Sequence, residues 1–469
     1  MKSSTSSLTV YGWLVCAWAL IASFQYGYHI SALNQIQAVL TCREILPSQT
    51  FGHMFSTCIP ISNSEFSIVT SIFTVGGLVG SLYSDYLQDR FGRKGALQLS
   101  AGFTALGAGF SSIASEYGLL LLGRTFVGVG SGIGLCVCPI FLSEVSPSKI
   151  RDSVGVLTQF AIVIGIMITQ LIGLRFATPT QWRLVPAASC LISIVQLLLS
   201  PAIVETPEWL GQHHMNVAAT SSERAIWTVG LKYPQQAPDI EAPLLDEAPS
   251  PLSDRPRERE ESVSLLRLFF TPRLRRPLVI VCVAMISQQV SGAILVLLNM
   301  FQVLYYSNDI LSKSLPELGP YISLGITVVN VLMTFPPIIL IERMGRKRLL
   351  LVSIGGLLFS LLLVGVGLNA RAPSLSSIAI TTFVMSFAIG LGPVPFVMIP
   401  EVSPPEAVAA LSSIALSVNW ITNFLVGLTF LPLRNFLSGG KPDQEGRVFF
   451  VFVGALGLFS SVLFRAYRS

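Results

Sequence analysis

Charge is scarce in this chain of 469 residues: Asp, Glu, Lys and Arg together make up 12% of it, about half of what a soluble domain carries. Histidine is scarcer still, with four residues, and the adjacent His213 and His214 do not by themselves make a metal site. No spaced His/Cys/Asp/Glu ligand set, nucleotide-binding loop or nucleophile–base constellation occurs. These shortages argue against an enzyme, and neither a metal nor a cofactor is expected. The net charge of +5 is too small to point to nucleic acid, and no such partner is expected.

What the chain has instead is apolar length. Hydrophobic residues are 52% of the total, and they cluster in runs of the size that crosses a bilayer, roughly 20 residues each. Twelve runs are expected, at about 10–33, 66–88, 96–115, 118–142, 153–175 and 182–203, then 277–306, 319–341, 349–369, 376–400, 408–433 and 447–465. The first has spanning length and no clear small-residue cleavage site, so it is expected to stay in the chain.

Two of the short gaps between runs match. Asp89-Arg90-Phe91-Gly92-Arg93-Lys94 and Glu342-Arg343-Met344-Gly345-Arg346-Lys347 share Arg-x-Gly-Arg-Lys, half a chain apart. Duplication of this kind belongs to solute carriers built from two similar halves. The expected fold is therefore an all-α membrane protein of twelve transmembrane helices in two six-helix halves. The halves are 1–203 and 277–469, joined by a linker at 204–276. Within the linker, 234–261 is rich in Pro and charge and is expected to be disordered. Short amphipathic helices are expected near Ser221–Leu231 and Ser262–Phe270.

Basic residues set the orientation. If the termini, linker and alternate gaps share one side, that side holds 21 of the 30 Lys and Arg, and the other holds 8. Both termini are then expected in the cytosol. Cys42 and Cys58 share the first loop on the opposite side, where a disulfide and two free thiols both remain open readings.

The motifs then become specific. Gln25-Tyr26-Gly27-Tyr28-His29 ends the first run, and the fourth carries Gly123-Arg124-Thr125-Phe126-Val127-Gly128 followed by Glu144-Val145-Ser146-Pro147 and Arg151. Val204-Glu205-Thr206-Pro207 follows the sixth run. Gln288-Gln289-Val290-Ser291-Gly292, Gly392-Pro393-Val394-Pro395 and Asn419-Trp420-Ile421-Thr422-Asn423 lie in the seventh, tenth and eleventh. In this order the motifs resemble the sugar porter family of the major facilitator superfamily, the family of the glucose facilitators, over nearly the whole chain outside the linker. The first run is closest in style to fungal members.

The resemblance implies an alternating-access carrier of a small polar solute, a monosaccharide such as a hexose, moved by facilitated diffusion. It implies sugar contacts at Gln159, Gln288, Gln289, Asn330 and Asn423, with Trp420 and the ring of Phe396 beside them. Amides suit a polyhydroxy ligand because each offers donors and an acceptor. Tyr26, Tyr28 and Phe24 are further ring candidates, and Gly390, Gly392, Pro393 and Pro395 would let a gate helix bend. Asp89, Arg93, Glu144 and Arg151 in the first half, and Glu342, Arg346 and Glu401 in the second, are expected to form a charge network at the cytosolic helix ends. Breaking that network should favour opening toward the cytosol.

Several positions depart from the family. Ile294 stands in place of a sugar-binding asparagine, Leu298 and Asn299 in place of paired gate tyrosines, and Phe396 in place of a tryptophan. Ala388 replaces a glutamate, and Val408 and Glu208 replace arginines. His29 replaces the asparagine of the facilitators and the aspartate of the proton symporters; Arg124 is its expected neighbour. A pH-sensitive step and a neutral hydrogen-bonding imidazole are both open at His29. The alternative readings are a proton-coupled sugar symporter, with protons as a second partner, and a non-transporting nutrient sensor. Glu261-Ser262-Val263-Ser264-Leu265-Leu266 reads as an acidic dileucine signal or as the start of an amphipathic helix. Plasma membrane and vacuolar or other endomembrane both fit.

Overall fold

The computed structural model describes residues 7–42, 58–228, 268, 270–293, 319–439, 441 and 444–468. Helices dominate: α1 Val10–Leu40, α2 Asn63–Ile113, α3 Tyr117–Val145, α4 Arg151–Phe176 and α5 Leu184–Leu199 come first. Two short helices follow, α6 Pro207–Gln212 and α7 Asn216–Ile226. Then come α8 Pro272–Gln288, α9 Gly319–Met344, α10 Arg346–Asn369, α11 Pro373–Ile389, α12 Val394–Val402, α13 Val408–Ser438 and α14 Arg447–Arg468. Among the described residues, ten helical stretches are long and apolar enough to cross a membrane.

Those ten and the expected twelve differ at two places. The second and third apolar runs join in α2, which is 51 residues long and bends at Gly92. The seventh run is described only as α8 and a π-turn at Gln289–Ala293, so it falls short of a full span. The tenth run is broken into α11 and α12 around Gly390–Pro393.

The bend in α2 has a cause that the repeated motif carries. Gly92 has φ 78° and Gly345, its counterpart between α9 and α10, has φ 77°. That conformation is open to glycine and strained for other residues, so the same turn recurs where the same motif recurs. Local caps define other starts. Thr9 accepts from the Gly12 N–H to begin α1, and Ser62 with Glu65 forms a reciprocal capping box at α2.

Helix faces are inverted relative to a soluble protein. On α5, Ser189, Ser193 and Gln196 are buried, at 0%, 0% and 1% exposure, while Leu191 and Leu198 stand 63% and 73% exposed. Polar groups seek partners inside the bundle, and the apolar face is left to lipid. The two halves meet where α4 packs on α9 and where α13 packs on α2 and α3. Phe160 of α4 stacks edge-on against Phe335 of α9 at 4.6 Å.

Candidate functional site

An aromatic cap lies where the halves meet. Tyr26 of α1 and Phe73 of α2 stack at 6.3 Å, and the Trp420 ring of α13 meets each edge-on at 5.6 Å. Gly77 makes room for this: a Cβ there would fall 2.5 Å from the indole. Nε1 of Trp420 is buried without a hydrogen-bond partner, and so is Oδ1 of Asn330 on α9. Buried polar atoms are nearly always satisfied, and these two are among several left without a partner among the described residues.

The five expected amides separate into different environments. Gln159 of α4 is buried and makes no hydrogen bond among the described residues. Asn423 donates to Oε1 of Gln289 at 2.9 Å. Gln288 is fully engaged: its Nε2 donates to the Leu391 and Gly392 carbonyls, and its Oε1 accepts from Asn419. Gln170 accepts from Thr327 at 3.0 Å, a polar tie between α4 and α9. Phe396 is buried in an apolar cluster, and Ala388 is buried as well. Phe24 and Tyr28 lean on each other, and the Tyr28 hydroxyl donates to the Val185 carbonyl. Tyr28 therefore anchors α1 to α5, and Tyr26 is the ring that reaches the cap. Ile294, Leu298 and Asn299, and the dileucine segment 261–266, lie outside the described residues.

His29 is buried in a relay of hydrogen bonds. Its Nε2 lies 2.6 Å from the Ser189 hydroxyl, which donates to Oε1 of Gln25 at 2.8 Å. The Gln25 amide then donates to the Ser189 carbonyl and the Ser193 hydroxyl. Arg124 meets His29 through the backbone, donating to its carbonyl at 3.2 Å, and its guanidinium lies 4.6 Å from the centre of the Phe73 ring. Among the described residues no carboxylate pairs with Arg124.

The charged residues converge at the end of the bundle that carries both basic gaps. Arg93 pairs with Glu144 at 2.9 Å, and Thr206 donates to the same carboxylate at 2.6 Å. Glu205 caps the arm of α2 that follows the bend, accepting from the Lys94 N–H through both oxygens, at 3.1 and 3.0 Å. Burial pushes the Glu205 carboxyl above the usual carboxylate range, against the pull of the Thr206 and Lys94 N–H groups and of Arg93. Asp89 is half-buried one turn before Arg93.

The second-half charges bridge the halves. Arg346 pairs with Glu401 and, at 2.6 Å, with Asp152 of α4. The Ser153 hydroxyl sits between the Ile338 carbonyl at 2.6 Å and the Glu342 carboxylate at 2.5 Å. Arg151 is a correction: it is exposed and in no ion pair among the described residues, and its neighbour Asp152 faces α10 instead. Successive helical residues point about 100° apart, so only one of the two can do so. Asp152, Ser153 and Ser189 belong to no motif that the sequence displays. The one available signal was an acid, Asp152, beside a basic gap.

Cys42 and Cys58 are joined in a disulfide that ties the end of α1 to the segment before α2.

A helical bundle with two matched bends, two facing halves and orphaned polar atoms between them is a solute carrier of the major facilitator fold. The profile described as Sugar (and other) transporter matches residues 15–467; the chain belongs to that family. It is 30% identical over 472 residues to the facilitated glucose transporter member 1 of Gallus gallus, covering 97% of this chain and 90% of that one. A probable metabolite transport protein of Saccharomyces cerevisiae is 28% identical over 457 residues, covering 95% and 90%. The proton:xylose symporter XylE bound to 6-bromo-6-deoxy-D-glucose superposes with a TM-score of 0.71 at 18% identity, covering 96% and 95%. These relatives are transporters, and the chain is a multi-pass integral membrane protein rather than an enzyme.

Proposed function

We propose that this protein is an alternating-access carrier that moves a monosaccharide, such as a hexose, by facilitated diffusion. The observation that carries the reading is the pair of orphaned buried atoms, the Trp420 N–H donor and the Asn330 acceptor, on spans at the interface of the halves. A neutral polyhydroxy solute supplies partners of both kinds. Gln159, Gln289 and Asn423 add further amides, and the Trp420, Tyr26 and Phe73 rings offer flat faces to C–H groups. The domain division is 1–203, 204–276 and 277–469, with the halves rocking about the site. The basic end, which holds most of the Lys and Arg, is the cytosolic end and carries both termini. The membrane is the plasma membrane or a vacuolar or other endomembrane.

Uniport is favoured over proton coupling by the environment of His29. Its Nε2 is taken by Ser189, and among the described residues no carboxylate that could take up a proton pairs with the Arg124 beside it. Names among the relatives support the sugar reading: glucose for the vertebrate proteins, xylose for XylE.

Counterflow tests the proposal. Liposomes holding the purified protein and an unlabelled hexose should transiently accumulate the labelled hexose from outside. Trp420→Phe removes the indole N–H together with part of the ring and should raise KM about fivefold or more, the effect of at least roughly one hydrogen bond. Binding of sugar without counterflow would make the chain a sensor, and absence of both would sink the sugar reading.

A further inference from the structure

The break between α11 and α12 leaves backbone groups that a helix would have satisfied. Gly390 departs from helical geometry, with φ −146° and ψ −65°. Pro395 has no N–H to return to the Leu391 carbonyl four residues earlier. In hydrocarbon a bare carbonyl of this kind is costly, and breaks survive only where neighbouring side chains take over.

Two neighbours do so here, from opposite sides. Ser353 of α10 accepts the Leu391 N–H at 2.9 Å and donates to the Ser386 carbonyl at 2.7 Å. Gln288 of α8 gives both hydrogens of its amide to the break, to the Leu391 carbonyl at 3.2 Å and to the Gly392 carbonyl at 2.8 Å. Asn419 of α13 fixes the other end of that amide, donating to Oε1 at 2.9 Å. One side chain, 5% exposed, thus ties three elements together at the bend. The next residue differs: the contact of Gln289 is with Asn423 on α13. Beyond the bend, α12 packs on α4, and Glu401 near its end pairs with Arg346.

We infer that the Gln288 amide, seated by Asn419, pins the α11–α12 hinge, and that α12 swings when those two bonds pass to water or to substrate hydroxyls. Gln288 is on this account a positioning residue whose effect falls on the rate of bending. What the swing accomplishes rests on the carrier reading above; the pin itself does not.

Hydrogen–deuterium exchange on the full-length protein, without sugar, reads the pin directly. Gln288→Leu and Gln288→Glu remove the donors, and exchange across residues 386–402 should quicken about tenfold, as loss of two hydrogen bonds implies. Asn419→Ala should act in the same direction more weakly, and it keeps the test open if a Gln288 variant fails to fold. Gln289→Leu should leave exchange in that segment unchanged. In transport, Gln288→Glu should change kcat about tenfold while KM moves less than about threefold. Stable Gln288 variants with unaltered exchange in 386–402, or a loss confined to sugar affinity, would overturn the pin. Such a result would leave the carrier reading intact, because that depends on counterflow.

Discussion

Arg346 holds Asp152 across the boundary between the halves, with Nη2 and Oδ1 2.6 Å apart and both side chains largely withdrawn from solvent. Glu401 takes the other side of the same guanidinium. The family arginine that Val408 displaces is therefore not needed to occupy Glu401, and an acid from the opposite half shares the same Arg346 guanidinium. Asp152→Ala should weaken closure of the basic end by about 1 kcal/mol, a fivefold shift in population. Cys136 reports on it, because this buried thiol faces the Ser412 carbonyl of α13 across the same boundary. Alkylation of Cys136, followed by peptide mass spectrometry, should be about fivefold faster in Asp152→Ala. An unchanged rate would remove Asp152 from the lock.

Gly77 and Trp420 set how closely α2 and α13 approach. A methyl group at position 77 would meet the indole at 2.5 Å. The clash lies between halves, so Gly77→Ala should fold normally and fail to form the closed cap. Sugar exchange should slow about tenfold or more, the scale of an overpacked contact of 1–3 kcal/mol. Exchange at the native rate would show that the cap opens and closes without this contact.

Gly92 and Glu205 make the bend in α2 a unit. A Cβ on Gly92 would lie 2.2 Å from Oε2 of Glu205, at a φ of 78°. Gly92→Ala should lower stability by about 1–3 kcal/mol, read as a fall in Tm.

The raised Glu205 carboxyl gives that unit a pH signature. Its folded pKa lies above the unfolded one because burial disfavours the charged form. Its favourable contribution is complete below the unfolded carboxylate pKa and is lost as pH rises through the folded one. The Tm of Glu205→Gln, compared with the native protein, should therefore gain ground as pH rises above the ordinary carboxylate range. A difference that is flat with pH, or of opposite slope, would contradict this.

His29→Asn should transport at close to the native rate, because an amide can replace a neutral imidazole donor toward Ser189. Any dependence of uptake on pH that rests on the imidazole should flatten with it. A well-folded His29→Asn carrier that no longer transports would give the imidazole a larger role.

Much of the architecture was legible in the chain because bilayer thickness and helix rise constrain the length of apolar runs. The duplicated Arg-x-Gly-Arg-Lys segments pointed to matched halves, and both glycines adopt the same positive φ. Facing was less legible. Arg151 and Asp152 are adjacent, and nothing local says which of them turns toward α10. Gln288 and Gln289 are adjacent amides as well, and their different partners depend on where Asn419, Asn423 and the broken tenth span come to lie. Such assignments depend on the rotation of whole helices, which apolar periodicity leaves loose where both lipid and core sides are apolar.

Uptake of labelled D-glucose into liposomes holding the purified protein, with and without an imposed proton gradient, tests the central claim most directly. Saturable uptake that runs to equal concentrations on both sides and is indifferent to the gradient is expected. Accumulation above the outside concentration that requires the gradient, or no saturable uptake of any monosaccharide by folded protein, would contradict it.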